Sequence, residues 1–169
     1  MKLRSLVIGD EVEALVGHHE LTLENWEYLL KYEKGMLWSD YLVLLEDEHH
    51  GRNMPTGRVP ATFLIAEHEG QLIGRASVRH ELNDFLYNYG GHIGYGVRPA
   101  NRRKGFATRI LRQSLDFIKE LGVNEVFVTC DDDNVGSYKV IESQGGILEN
   151  RMNFEGKLKR RYWIKQSDL

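Results

Sequence analysis

The run Arg102-Arg103-Lys104-Gly105-Phe106-Ala107-Thr108 joins three cations, a glycine and two small residues, and the chemistry such a set can do is anion binding. Pro99 stops the element before it. After it Ala107, Leu111, Leu115 and Ile118 repeat at helical spacing, which predicts a helix starting near Arg103 and capped at its end by Gly122. The first N–H groups of a helix lack partners and lie at the positive end of its dipole, an arrangement that binds phosphate. Gly105 lets backbone approach a ligand, Ala107 leaves room and Thr108 adds a hydroxyl. A plain strand-to-helix connection with solvated basic residues fits the same letters, so the run by itself leaves both readings open.

The elements that must position this run follow from pattern. His92 to Val97 suits a strand, with Ile93, Tyr95 and Val97 on one face and small or polar residues on the other. Glu125 to Cys130 predicts the next buried strand, and Asn134 opens a helix that carries Asn134, Ser137, Tyr138 and Ile141 on one face. Upstream, Leu3 to Ile8 predicts a first strand. A short helix over Glu11–Val16 is ended by Gly17, a second helical run leads from Thr22 through Trp26 to Gly35, and a third covers Ser39 to Glu46. Gly51, Asn53, Pro55, Gly57 and Pro60 make a loop that overlies a site or links helix to sheet. Ala61–His68 and Gln71–His80 form a hairpin about Glu69-Gly70, and Gly146–Phe154 pairs with Leu158–Lys165 about Glu155-Gly156-Lys157. Leu82–Tyr89, aromatic and polar together, reads equally as a pocket wall or a packed connection. The order β-α-α-β-β-β-α-β-α-β-β predicts an α/β (α+β) fold: a central mixed, largely antiparallel twisted sheet with helices on both faces.

The stretch Val97-x-Pro99-x-x-Arg102-Arg103-Lys104-Gly105-Phe106-Ala107 resembles the acetyl-CoA signature of the GNAT N-acetyltransferase superfamily, Arg/Gln-x-x-Gly-x-Gly/Ala. Downstream, Val126-Phe127-Val128-Thr129-Cys130, then Asn134-x-x-Ser137 and Gly145-Gly146, is similar to the next strand, loop and helix of those enzymes. The whole chain also resembles an uncharacterised branch of predicted acetyltransferases. The resemblance runs through Val59-Pro60, Arg79-His80-x-Leu82-Asn83, Gly90-Gly91-His92-Ile93-Gly94-Tyr95, Thr129-Cys130-Asp131, Ile141-Glu142 and Arg161-Tyr162-Trp163-Ile164.

The resemblance implies a GNAT-like domain over residues 1–169 that uses acetyl-CoA as co-substrate and transfers acetyl directly to a primary amine in a ternary complex. It implies that Arg102, Arg103, Lys104, Gly105, Phe106, Ala107 and Thr108 hold the pyrophosphate. Tyr95, Gly96 and Val97 then lie along the pantetheine, with Asn134 and Ser137 across from them. The position where relatives place a tyrosine acid, seven residues after the asparagine, is Ile141, which cannot donate a proton. Tyr138, one turn earlier, is the candidate substitute, with Ser137 or water as further options and packing as its other reading. His92 and Glu81 are the candidate bases, with His80 and Asp84 near the same strand end; His92 reads as readily as a hydrogen-bonded core histidine, and a water relay needs no base. A non-catalytic acyl-CoA-binding module is the alternative function.

Composition bounds these readings. A chain of 169 residues with 41% hydrophobic and 28% charged residues is expected to fold as one globular domain. A net charge of -3 gives no general pull toward nucleic acid. In Lys157-Leu158-Lys159-Arg160-Arg161 alternate residues point to opposite faces, which makes a solvated edge strand rather than a docking surface. The lone Cys130 excludes an internal disulfide and suits a reducing compartment, and no long apolar run or signal segment is present, so a cytoplasmic, membrane-free protein is expected. His18-His19 and His49-His50 lack metal-site spacing, so no metal is expected. Glu24, Glu27, Glu33, Asp40 and Asp47 could draw a cationic amine or form a solvated helix face. The acceptor is unidentified, and a homodimer is left open.

Overall fold

The computed structural model describes residues 1–166. Strands β1 (Lys2–Arg4), β2 (Ala61–His68), β3 (Gln71–Arg79) and β4 (Ile93–Val97) pair antiparallel in the order β1-β2-β3-β4. A second antiparallel sheet has the order β5-β7-β6, from β5 (Glu125–Asp131), β6 (Ile147–Phe154) and β7 (Lys157–Lys165). Helices α1 (Glu11–Thr22) and α2 (Trp38–His49) pack on one side, α3 (Phe106–Glu120) and α4 (Val135–Ser143) on the other. Strand alternation explains the two layers: Phe63 and Ile65 of β2 join Leu21, Tyr41 and Leu45, while Leu64 between them joins Leu111, Leu115 and Ile118 of α3. The element order is the expected one.

The two sheets meet at the start of β4. The His92 N–H donates to the Phe127 carbonyl at 2.7 Å, and the Phe127 N–H donates back to His92 Nδ1 at 2.9 Å. Gly91, at φ +69°, permits this approach, because a Cβ there would stand 2.7 Å from the Phe127 oxygen. Beyond this point no strand ladder joins β4 to β5.

Four sequence expectations need correction. Strand β1 ends at Arg4 rather than running on to Ile8, which opens a 3-10 turn over Ile8–Asp10. Gly17 does not end α1 but lies inside it, where a Cβ would come within 2.9 Å of the Tyr28 ring; it is a contact glycine, not a cap. The run from Thr22 to Gly35 is turns rather than helix after α1 ends. Asn25 and Lys31 take φ of 56° and 64°, and tertiary bonds from the Leu29 N–H to His18 Nδ1 and from the Tyr41 hydroxyl to the Leu30 carbonyl hold the chain there. Helix α3 starts at Phe106, because Arg103 and Gly105 are left-handed at φ 62° and 77°. The loop between α2 and β2 links helix to sheet, with the Gly57 carbonyl accepting from Asn83. In the Leu82–Tyr89 segment Tyr87 stacks on Phe127 and Tyr89 on Phe154, as in a packed connection.

Candidate active site

Where β4 and β5 part, a cavity of about 600 Å³ opens between β4, the first turn of α3 and the first turn of α4. Every residue expected to hold the cofactor lines it except Lys104: Tyr95, Gly96 and Val97 from β4, Arg102, Arg103 and Gly105 to Thr108 at the start of α3, and Asn134 with Ser137 opposite.

The α3 end leaves its backbone donors open. Gly105 caps it in left-handed conformation with no side-chain cap. Among the described residues, the N–H groups of Arg103 to Thr108 donate no backbone or side-chain hydrogen bond within the chain. Two left-handed residues flanking Lys104 turn this backbone into a concave donor array at a positive helix end. Arg102 is committed differently: its Nε donates to the Val97 carbonyl at 3.1 Å, and its Nη atoms hold the Glu24 carboxylate at 3.2 and 2.5 Å. It ties the strand end to the turn after α1, leaving Arg103 and exposed Lys104 as the free cations beside the donor array.

Across the cavity, Asn134 Oδ1 accepts the Ser137 N–H at 3.0 Å, capping α4 and leaving its amide Nδ2 to donate. The Tyr95 hydroxyl lies 3.2 Å from Ser137 Oγ and 3.4 Å from the Ser137 carbonyl. Burial pushes Tyr95 up to about 12, so it stays protonated at neutral pH. Burial likewise pushes the Cys130 thiol up to about 11, which keeps it an unreactive core group.

The three candidate catalytic groups fall outside the cavity lining. His92 is 5% exposed, and its Nδ1 lone pair is taken by the Phe127 N–H, which puts the ring proton on Nε2. Burial, with nearby Arg79, brings it down to about 4, so it is neutral, and with Nδ1 engaged and Nε2 protonated it has no free lone pair to offer. The Tyr138 ring lies under the Arg160 guanidinium at 3.8 Å, packed against the core. Glu81 is exposed on the bend after β3. Ile141 is fully buried, with Gly146 pressed against it.

Of the third wall, Leu21, Glu24 and Trp26, pattern reading offered Glu24 as an acid that could draw an amine and missed Leu21 and Trp26. A Cβ on Gly96 would come 2.4 Å from the Trp26 ring, so this tryptophan covers the strand's backbone. No periodicity carries that signal, since it pairs a turn with a strand far along the chain. Among the described residues no group of three or more His, Cys, Asp or Glu is placed to hold a metal ion, and no helix is long and apolar enough to cross a membrane.

The chain's fold has many solved counterparts. It superposes on the Salmonella typhimurium protein YncA, solved with its cofactor acetyl-CoA, with a TM-score of 0.65 and 15% identity over 99% of this chain and 95% of that one. A ribosomal-protein-alanine N-acetyltransferase from Brucella melitensis gives 0.67 at 18% identity over 98% and 99%. A mutant spermidine N-acetyltransferase from Vibrio cholerae gives 0.65 at 20% over 98% and 95%. No curated protein sequence matches. The family model for the acetyltransferase (GNAT) family matches residues 10–145, which is most of the chain and contains the whole cavity; the chain belongs to the GNAT acetyltransferase family.

Proposed function

We propose that the protein is an acetyl-CoA-dependent N-acetyltransferase that passes acetyl directly to a primary amine within a ternary complex. The observation that carries this reading is the unpartnered donor array of Arg103 to Thr108 facing a cavity bordered by Tyr95 to Val97 of β4 and the first turn of α4. Acetyl-CoA fits it. The pyrophosphate would take the α3 N–H groups and the charge of Arg103, and the pantetheine arm would take the Asn134 amide and run beside Tyr95 and Val97 of β4. The co-substrate supplies a thioester: an amine attacks its carbonyl carbon, a C–N bond forms, the C–S bond breaks and the thiolate takes up a proton. Ser137 Oγ, at the cavity wall and backed by the protonated Tyr95 hydroxyl, is the donor in place for that proton. The amine's own proton leaves through solvent, since no base lines the cavity besides Glu24, which Arg102 occupies.

The test is calorimetric titration with acetyl-CoA and with pantetheine lacking the nucleotide and pyrophosphate. Affinity should fall by about 100-fold without the pyrophosphate, equivalent to about 2.8 kcal/mol. Gly105→Glu, which puts a carboxylate and a strained side chain at the array, should cost a similar factor. Equal binding of the truncated compound, or an unaffected Gly105→Glu variant, would overturn the placement. The buried isoleucine at the family's tyrosine position supports the second reading, a non-catalytic acyl-CoA-binding module. Amine-dependent thiol release separates the two.

A further inference from the structure

On the side of β4 that faces α1 and α2, two arginines of β3 are held inside the protein without an anion. Arg75, Ser77 and Arg79 alternate on one face of β3, and across the ladder Arg75 and Ser77 stand opposite Gly96 and Gly94. Strand β4 therefore presents no side chain there, and the backbone at both glycines stays partly exposed. The two guanidinium groups cover that bare lane. Arg75 stacks on the Trp26 ring at 4.1 Å, and Arg79 Nη1 lies 3.0 Å from where a Cβ on Gly94 would stand.

Neither cation is neutralised by the chain. Arg75 is 5% exposed; it donates to the Gly94 and Glu27 carbonyls at 3.2 and 2.8 Å, and its Nε has no partner. Arg79 Nη1 is also buried without a partner, and Arg79 makes no ion pair among the described residues. The acids nearby are spent: Glu48 pairs with the Lys31 ammonium, and the Glu27 carboxylate accepts the Lys31 N–H. Arg58 adds further positive charge near Arg79. A buried, unpaired guanidinium is costly, and an anion that reached Arg79 from the open edge of β4 would relieve that cost, the two glycines having made room for the guanidinium and for Trp26.

We propose that Arg79, backed by Arg75, is the anion-binding half of the acceptor site, so that the acceptor is a primary amine that also carries a carboxylate, of the amino-acid class. This rests on the acetyltransferase reading above. The guanidinium fork matches a carboxylate with two parallel hydrogen bonds. The acyl donor then enters on the Tyr95 and Ser137 side of β4 and the acceptor on the Trp26 and Arg79 side, so the two meet at the open strand edge. A polyamine would meet like charge there.

The experiment compares free amino acids with their carboxamides, and with spermidine, as acceptors for the full-length protein saturated with acetyl-CoA, reading thiol release as kcat/KM. Acids should exceed their own amides by at least tenfold. Arg79→Met should abolish that ratio, Arg79→Lys should keep part of it, and both should bind acetyl-CoA as the parent does, which also reports that they fold. Gly94→Ala, which crowds the guanidinium, repeats the test without removing the charge. Amides or spermidine used as well as the acids, a ratio that survives Arg79→Met, or no panel member accelerating thiol release or raising the melting temperature of the acetyl-CoA complex would each overturn the proposal. Failure of the parent protein to bind acetyl-CoA would overturn the cofactor reading, and this proposal with it.

Discussion

Strand β4 has a closed end and an open end, and the contrast between them makes the site. At His92 the strand is stitched to β5 by two hydrogen bonds, one of them through an imidazole standing in for a backbone acceptor. A few residues on, at Tyr95 to Val97, the same strand borders a cavity and shares no ladder with β5. Backbone polar groups are paired almost everywhere in a folded core, and the open strand edge beside the tight joint is where the proposed acyl donor would complete the pairing. The joint sets the angle of the wedge, and the wedge sets what fits.

Breaking the joint should have the largest effect. His92→Ala leaves the buried Phe127 N–H without an acceptor and opens a cavity, which should cost about 3 kcal/mol of stability in urea unfolding, with weaker acetyl-CoA binding alongside. Unchanged stability would mean that packing alone holds the sheets together. A smaller effect comes from protonating the joint. His92 binds its proton near pH 4 in the folded protein and near 6.5 when unfolded, so the unfolded state holds more protons between those values. Stability is therefore complete above about pH 6.5 and is lost as the pH falls toward 4, the loss reaching about 2 kcal/mol at pH 5. His92→Asn, which keeps an acceptor for Phe127 and cannot titrate, should flatten that part of the curve in melting experiments at pH 7, 6 and 5. A slope that persists unaltered would place the acid sensitivity in His18 and His80, whose burial lowers them as well.

The open end was largely legible in the sequence and the closed end was not. Local signals carry the former: a proline after a strand, a glycine ahead of a helical repeat and an asparagine three residues before a serine. Backbone chemistry dictates each of these within a few residues. The expected α3 start missed by three residues because the left-handed Arg103 breaks the helical run, and left-handed arginine has no sequence signature. His92 offered both an acid-base and a core reading, and only its distance to Phe127 decides between them. Trp26, Arg75 and Arg79 became site residues through contacts with Gly94 and Gly96 that span 15 to 70 positions. For Arg75 and Arg79 a trace did exist: polar residues at alternate positions inside a buried strand, Arg75, Ser77 and Arg79, two of them charged, which an ordinary core strand avoids.

The mildest test concerns the open end itself. Tyr95→Phe removes one hydroxyl and leaves the ring that packs between β4 and α4, so folding and acetyl-CoA affinity should stay near the parent's. If Ser137 delivers the proton to the departing thiolate with Tyr95 behind it, kcat should fall by about tenfold, equivalent to about 1.4 kcal/mol of barrier, with KM for acetyl-CoA little altered. The effect is modest because water entering the cavity can replace a hydroxyl as proton source, and because Tyr95, held up to about 12, acts through Ser137 rather than by ionising. Ser137→Ala takes away the group nearest the cavity and should cost at least as much as Tyr95→Phe, while the double variant should cost little more than Ser137→Ala alone, as for two members of one chain. Additive losses would mean that the hydroxyls act separately. A Tyr95→Phe variant with parental kcat would leave Tyr95 with a packing role, and the difference between the two ends of β4 would then be one of shape alone.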